Sequence, residues 1–354
     1  MLAVLLVSAG AWCIVVARRP GNESFAAKSA DWFRDHHLAG VANWVETIYY
    51  THEAPGVGGA PSRAIPTPVP PPSAAGVALP PNVVSPVSPP LPNEGVWASQ
   101  VTAPDGRVAI AVAQLRPDAT HTSVLGALVW MNPAVLRFVE VPGTVEPGGS
   151  WNTVGTVGGP DRNALVAAFN GGFRFKDAQG GFFAEGHAAP ALVDGAASLV
   201  VRTDGTVDVG QWGRDDALGP NVAAVSQNLV LIVDNGAPTP DLNTSDTRKW
   251  GRSLRNRVLV WRSGVGVRPD GTLVYAASNG LTVATLADML VRAGCVRAME
   301  LDINPEWVTY NLFTHPDPAH PETITGQKLL PDMTRPAERY LGADSRDFTA
   351  VLLR

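Results

Sequence analysis

The chain has 354 residues, 45% of them hydrophobic, enough to bury a sizeable core in one large domain or two small ones. Its formal net charge of −5 argues against nucleic acid as a main partner. The two cysteines, Cys13 in an N-terminal apolar run and Cys295 far downstream, make no plausible intradomain disulfide, so they say nothing of the redox compartment.

Met1 to Val16 is an almost unbroken apolar run closed by Arg18-Arg19-Pro20. It falls short of the roughly 20 residues that span a bilayer comfortably, so residues 1–19 read as a signal-peptide core or a minimal membrane anchor. Either use implies export, with membrane contact through the N-terminus. Residues 20–54 form an amphipathic helical segment: Phe25, Trp32, Phe33, Leu38, Val41, Trp44, Val45 and Ile48 recur at helical spacing between charged residues. Residues 55–93 hold 13 of the 31 prolines and read as a disordered or extended linker. At about 3.1 Å per residue such a spacer reaches on the order of 100 Å.

Residues 94–354 are strand-rich. Short apolar or alternating runs at Val96–Val101, Val108–Leu115, Ser123–Met131, Leu136–Val141 and Leu165–Phe169 are separated by turn residues such as Asp105-Gly106 and Pro142-Gly143. Further runs follow at Leu192–Val209, Val222–Val233, Arg257–Val267, Leu273–Ala277 and Thr349–Leu353. One helix stands out over Val283–Ala293, with Thr282 as its cap and Gly294 at its left-handed end. The expected class is α+β, with mixed or antiparallel sheets and few helices.

Three constellations carry chemistry. Leu165–Phe169 runs directly into Asn170-Gly171-Gly172-Phe173, where two glycines admit a ligand to the backbone and Asn170 offers donor and acceptor; Asn-Gly is equally a common hairpin turn. Arg262, followed by Ser263-Gly264-Val265-Gly266, sits in an apolar strand, suited either to phosphate or carboxylate binding or to an ion pair with Glu300 or Asp302. The third is Arg297 to Trp307, in which Glu300, Asp302 and Asn304 alternate on what reads as an extended strand and therefore share one face. Buried carboxylates need partners, so this spacing marks a site, and Pro305 ends the strand where Asn304 and Glu306 emerge. Glu185, beside His187 on a glycine-flanked loop, is a lesser acid-base candidate.

In this order the three constellations resemble the phosphodiester glycosidase family, whose animal member removes N-acetylglucosamine from a phosphodiester on lysosomal glycans. The resemblance rests on Asn170-Gly171-Gly172-Phe173 with Phe182-Phe183, on Arg262 to Gly266 with Asp270-Gly271, and on Leu286 through Gly294 to Ala298-Met299-Glu300-Leu301-Asp302. It covers roughly Asp161 to Arg354. It implies hydrolysis of a sugar-1-phosphodiester, with Asn170, Gly171, Arg262 and Asp302 as active-site positions and Arg262 on the phosphate. The catalytic assignment is Asp302, with Glu306 or Glu185 as acid-base partner; Asn170, Gly171, Gly172, Arg262, Gly264, Glu300 and Asn304 are expected to bind substrate. The expected partner is a glycan or sugar phosphodiester of the cell envelope. No cofactor is required, and a divalent cation on Glu300, Asp302 and Glu306 is the alternative those carboxylates leave open. One departure stands out: the family's glycine-rich loop after Leu-Asp is replaced by Ile303-Asn304-Pro305-Glu306-Trp307, which narrows the space for ligand. The rival expectation is a non-catalytic surface module that binds glycan or organises wall assembly.

Overall fold

The computed structural model describes residues 2–38, 40–42, 55–68, 79–240, 242, 249–251, 258–317 and 319–354. In chain order the strands are β1 (Ala98–Thr102), β2 (Val108–Leu115), β3 (Gly126–Met131), β4 (Leu136–Val141), β5 (Leu165–Asn170), β6 (Phe182–Ala184), β7 (His187–Ala188), β8 (Ala197–Arg202) and β9 (Val207–Gln211). There follow β10 (Val222–Gln227), β11 (Leu231–Asp234), β12 (Ala237–Pro238), β13 (Val260–Val267), β14 (Leu273–Leu281), β15 (Arg297–Glu300), β16 (Tyr310–Thr314), β17 (Thr325–Lys328) and β18 (Phe348–Leu353).

These strands build three antiparallel sheets, in line with the α+β expectation. The largest has the order β1-β2-β3-β14-β13-β15-β11-β12, and the two five-stranded sheets run β7-β6-β10-β8-β9 and β17-β16-β5-β18-β4. One face of the large sheet is covered by the helix Val283–Arg292, which buries Leu286, Met289 and Leu290. Its start is fixed by a reciprocal pair of bonds: the Thr285 N–H donates to Thr282 Oγ1 at 3.0 Å, and the Thr282 N–H to Thr285 Oγ1 at 2.9 Å. Its end is fixed by Gly294 at φ 87°, as expected. Gly264 lies under this helix, where a Cβ would meet the Met299 carbonyl and Leu286. The other face meets both smaller sheets in an apolar core centred on Phe169, Tyr275 and Tyr310, with the Phe169 and Tyr310 rings stacked at 5.9 Å.

Two stretches differ from their expected form. The Arg297–Trp307 strand stops at Glu300, because the Asp302 carboxylate draws the Ile303 and Asn304 N–H groups into a turn. Asn304 in turn accepts the Glu306 N–H at 2.9 Å, so the two-residue alternation does not extend to it. The end of the Pro-rich segment is packed against the domain: Val83 and Val87 are buried, the Val83 N–H donates to the Gly95 carbonyl at 2.8 Å, and Trp97 Nε1 donates to Pro81 O at 3.1 Å.

At the N-terminus α1 (Leu2–Ala17) is followed by α2 (Phe25–Asp35), capped by Ser24, whose Oγ accepts the Ala27 N–H at 3.2 Å. Trp12 stacks on Phe33 at 5.4 Å and meets Phe25 edge-on at 5.8 Å, joining the two helices. Among the described residues no helix is long and apolar enough to cross a membrane. The part of the amphipathic segment from 43 to 54 lies outside the described residues.

Candidate active site

Three chain segments meet where β5, β13 and β15 end. Asn170, the last residue of β5, is buried and fully engaged. Its Nδ2 donates to Gly171 O at 2.8 Å and Ser263 Oγ at 3.0 Å, while its Oδ1 accepts from Tyr275 OH and the Thr309 N–H, both at 3.0 Å. The carbonyl of Gly171 also accepts the Asp302 N–H at 3.2 Å, and Ser263 Oγ donates to the Asp302 carbonyl at 2.9 Å. Asn170, Gly171 and Asp302 are therefore one hydrogen-bonded unit. Glycine is required next to it: a Cβ on Gly171 would collide with the Asp347 carboxylate, and one on Gly172 would lie 2.8 Å from Asn228 Cβ. Asn228 completes the wall, accepting the Phe173 N–H at 3.2 Å and donating to Glu300 O at 2.9 Å.

Arg262 and Glu300 form a buried ion pair through Nη1 and Oε1. Arg262 Nε also donates to Leu281 O at 3.1 Å and Nη1 to Trp250 O at 3.2 Å. The ion-pair alternative is thus realised, and these contacts leave Arg262 poorly placed to take a ligand phosphate. Burial pushes Glu300 up to about 7, opposed by Arg262 and assisted by the neighbouring Asp302 charge.

The guanidinium that touches Asp302 is Arg346. Its Nη2 lies 3.3 Å from Asp302 Oδ2 and 2.9 Å from Gly172 O, while its Nε has no partner. Asp302 Oδ1 holds the Ile303 and Asn304 N–H groups at 2.7 and 2.9 Å. Burial raises the Asp302 carboxyl above the ordinary range even though Arg346 and these two N–H groups favour its charged form. Beyond it lies the ring of Trp307, with the guanidinium carbons of Arg346, Arg339 and Arg335 at 5.0, 5.2 and 5.6 Å from its centroid. The loop that departs from the family pattern thus supplies an aromatic platform for three arginines. Asp344 and Glu306 neutralise part of this charge: Arg339 Nε donates to Asp344 Oδ2 at 2.7 Å, and Arg335 Nη1 to Glu306 Oε1 at 3.4 Å. Arg335 Nε is also buried without a partner.

The N-terminal segment closes over these groups. The Ser24 N–H donates to Glu306 Oε1 at 3.1 Å, Asn22 Nδ2 donates to Arg339 O at 2.7 Å, and Arg335 Nη2 donates to Asn22 Oδ1. Glu23 accepts the Ser345 N–H at 3.2 Å as well as its hydroxyl.

Of the residues singled out in the sequence, Asn170, Gly171, Gly172 and Asp302 come together in this unit. Glu300 reaches it through its backbone, and Glu306 sits one turn further on. Glu185 lies elsewhere, at φ 52° in the β6–β7 turn, where its carboxylate accepts the Asn152 and Thr153 N–H groups at 2.8 and 3.3 Å. Sequence reasoning missed Arg346, Asp347, Arg335 and Arg339. The signal for the first two was the pair Arg346-Asp347 directly before an apolar strand, the same charged-strand-end pattern that drew attention to Asp302. Among the described residues no three His, Cys, Asp or Glu side chains gather as a metal centre requires.

Residues 163–302, from the start of β5 to Asp302, match the family model for phosphodiester glycosidase. That segment is a phosphodiester glycosidase family domain. Among solved structures, the catalytic domain of zebrafish N-acetylglucosamine-1-phosphodiester alpha-N-acetylglucosaminidase, auto-inhibited by its pro-peptide, is similar at 18% identity and a TM-score of 0.44, covering 77% of this chain and 87% of that one. A hypothetical protein from Synechocystis is similar at 11% identity and a TM-score of 0.42, with 71% and 63% covered. A Burkholderia pseudomallei K96243 protein described as exported follows at 12% and 0.31, with 67% and 75% covered. These distant likenesses assign nothing to individual residues. No curated protein shows significant similarity to the chain.

Proposed function

We propose that the phosphodiester glycosidase domain hydrolyses a glycosyl phosphodiester of an envelope or surface glycan, with Asp302 as the catalytic carboxylate and Arg346 as the phosphate ligand. The observation that carries this reading is the contact between Asp302 and Arg346 beside the Gly171-Gly172 backbone. A guanidinium with an unengaged Nε, held next to a buried carboxylate, suits a substrate that presents a phosphodiester beside an anomeric carbon. In hydrolysis the bond from the anomeric carbon to the phosphate oxygen breaks and its electron pair leaves on a phosphomonoester, the water oxygen ends on the anomeric carbon, and the proton that water gives up passes to the acid-base carboxylate. Arg346 stabilises the charge that collects there, as a preorganised donor does best in a site shielded from water. Asp302 stabilises the developing positive charge on the sugar ring. Glu306 is the nearer candidate for its acid-base partner, since Glu185 lies on another turn. Their separation in the substrate complex decides the stereochemistry, about 5 to 5.5 Å for retention and about 6.5 to 9.5 Å for inversion.

The same reading makes this an extracytoplasmic enzyme, exported and held at the membrane by the apolar residues 1–19. Incubating the full chain with a sugar-1-phosphodiester and following release of free sugar tests the proposal; Asp302→Asn and Arg346→Met must each abolish that release. A binding-only surface module is the second reading. It is favoured by the engagement of both Asp302 oxygens and by Asn22 to Ser24 lying over Arg335 and Glu306.

A further inference from the structure

A half-open cavity of about 680 Å³ lies between β4 and the β8–β10 side of the neighbouring sheet. Its size falls within the roughly 300–1,000 Å³ range of small-molecule sites. The space exists because β4 is the edge of its sheet and the strand facing it is small there, with Ala223 and Ala224 on β10. Pairing of β4 with β18, together with the Phe138 N–H bond to Gly205 O at 3.1 Å, turns the N–H and C=O of Glu140 towards this open edge. Two residues that line the cavity, Glu140 and Thr156, each carry a buried side-chain oxygen without a partner, Oε2 and Oγ1. The other Glu140 oxygen accepts the Thr349 hydroxyl at 2.7 Å. Buried polar atoms are nearly always hydrogen-bonded, so two orphans on residues that line one cavity point to a ligand that satisfies them.

We infer that this cavity is a second ligand site and takes an uncharged, hydroxyl-bearing glycosyl unit. The rim cations are already neutralised, Arg137 by Asp161 and Arg202 by Asp216 at 2.8 Å, so no free guanidinium awaits an anion there. Burial pushes Glu140 up to about 8, with Asp347, just before β18, adding to the effect, so at neutral pH the group is a protonated carboxyl that donates and accepts like a hydroxyl. The other charged groups around the space are Arg137 with Asp161, Arg202, Asp204 and Glu185. A sugar ring places hydroxyls against Glu140, Thr156 and the strand edge, and its C–H face against Phe138, Val201 and Ala224. None of Asn170, Gly171, Asp302 and Arg346 lines it.

Isothermal titration of the full chain tests this, with methyl glucoside and N-acetylglucosamine as neutral probes and glucosamine at pH 6 as a cationic one. The neutral sugars bind at pH 6, and Ala224→Phe, which fills the space, weakens that binding tenfold or more. Thr156→Val, on the rim loop, weakens it several-fold and serves if the larger change fails to fold. Raising the pH to 9 weakens binding to the wild type but not to Glu140→Gln, and Asp302→Asn leaves it unchanged. Absence of neutral-sugar binding, tighter binding of glucosamine than of the neutral sugars, or binding that survives Ala224→Phe but is lost in Asp302→Asn overturns the inference.

Discussion

Arg346 Nη2 sits 3.3 Å from Asp302 Oδ2, joining two buried side chains that are 44 residues apart in the chain. Removing one member of such a pair leaves an uncompensated buried charge, at a cost of about 3–5 kcal/mol. Arg346→Met is therefore expected to lower stability by about that amount in chemical denaturation, and activity by about 100-fold or more through loss of a preorganised donor. Asp302→Asn leaves Arg346 buried but still offset by Glu146 and Asp347, and keeps an oxygen able to accept the Ile303 and Asn304 N–H groups, so its stability loss is the smaller while its activity loss is as large. Equal stability losses in the two variants would count against this account of the contact.

Gly171 is expected to be intolerant of any side chain. A Cβ there runs into the carboxylate and backbone carbonyl of Asp347, neither of which is the loose end of a flexible chain. Gly171→Ala should cost about 1–3 kcal/mol and displace Asp302, whose N–H is held by the Gly171 carbonyl at 3.2 Å. Gly158→Ala is the control, since no atom lies within 4 Å of its Cβ position. Comparison of the two melting temperatures decides the point.

Stability should fall with rising pH across the near-neutral range. Glu140 is pushed up to about 8 by burial, against an ordinary value of 4.5, so the folded protein keeps a proton that the unfolded chain releases. The stability this group contributes is complete below pH 4.5 and is lost as the pH rises through about 8. Glu300 and Asp347, both raised to about 7 by burial, act in the same direction. Melting temperatures at pH 5 and pH 8.5 should show a drop in the wild type that is visibly smaller in Glu140→Gln.

Asn22 and Ser24 occupy hydrogen-bonding groups of Arg335 and Glu306, close to the Trp307 ring that Arg346 also faces. Asn22→Ala combined with Glu23→Ala, made in the full chain, loosens this segment and is expected to raise kcat/KM several-fold with little change in melting temperature. An unchanged or lower kcat/KM would mean that the segment does not obstruct the cleft.

Much of the scaffold was legible in the sequence because its signals are local. Continuous apolar runs mark β2 and β5 and an alternating one β4, and the Thr282 cap with the Gly294 terminator bounds the helix Val283–Arg292. The Asn170 and Asp302 segments were also legible, as a strand ending in two glycines and a strand ending in carboxylates. Arg346 was not, because its role depends on β18 lying between β5 and β4, a long-range pairing that no local pattern encodes. For the same reason Arg262 could be seen as needing an anion, yet only the β13–β15 register decides that Glu300 supplies it. Asn304 was drawn onto the strand face by its spacing, whereas the Asp302 side chain competes for the backbone N–H groups and turns the chain first.

Release of free sugar from a glycosyl-1-phosphodiester by the full chain, measured beside Asp302→Asn and Arg346→Met, decides whether the Asp302–Arg346 pair performs this hydrolysis. The expected result is hydrolysis by the wild type with a phosphomonoester as co-product, reduced about 100-fold or more in both variants. Glycan binding without hydrolysis in the wild type, or hydrolysis that persists in Asp302→Asn, would contradict it.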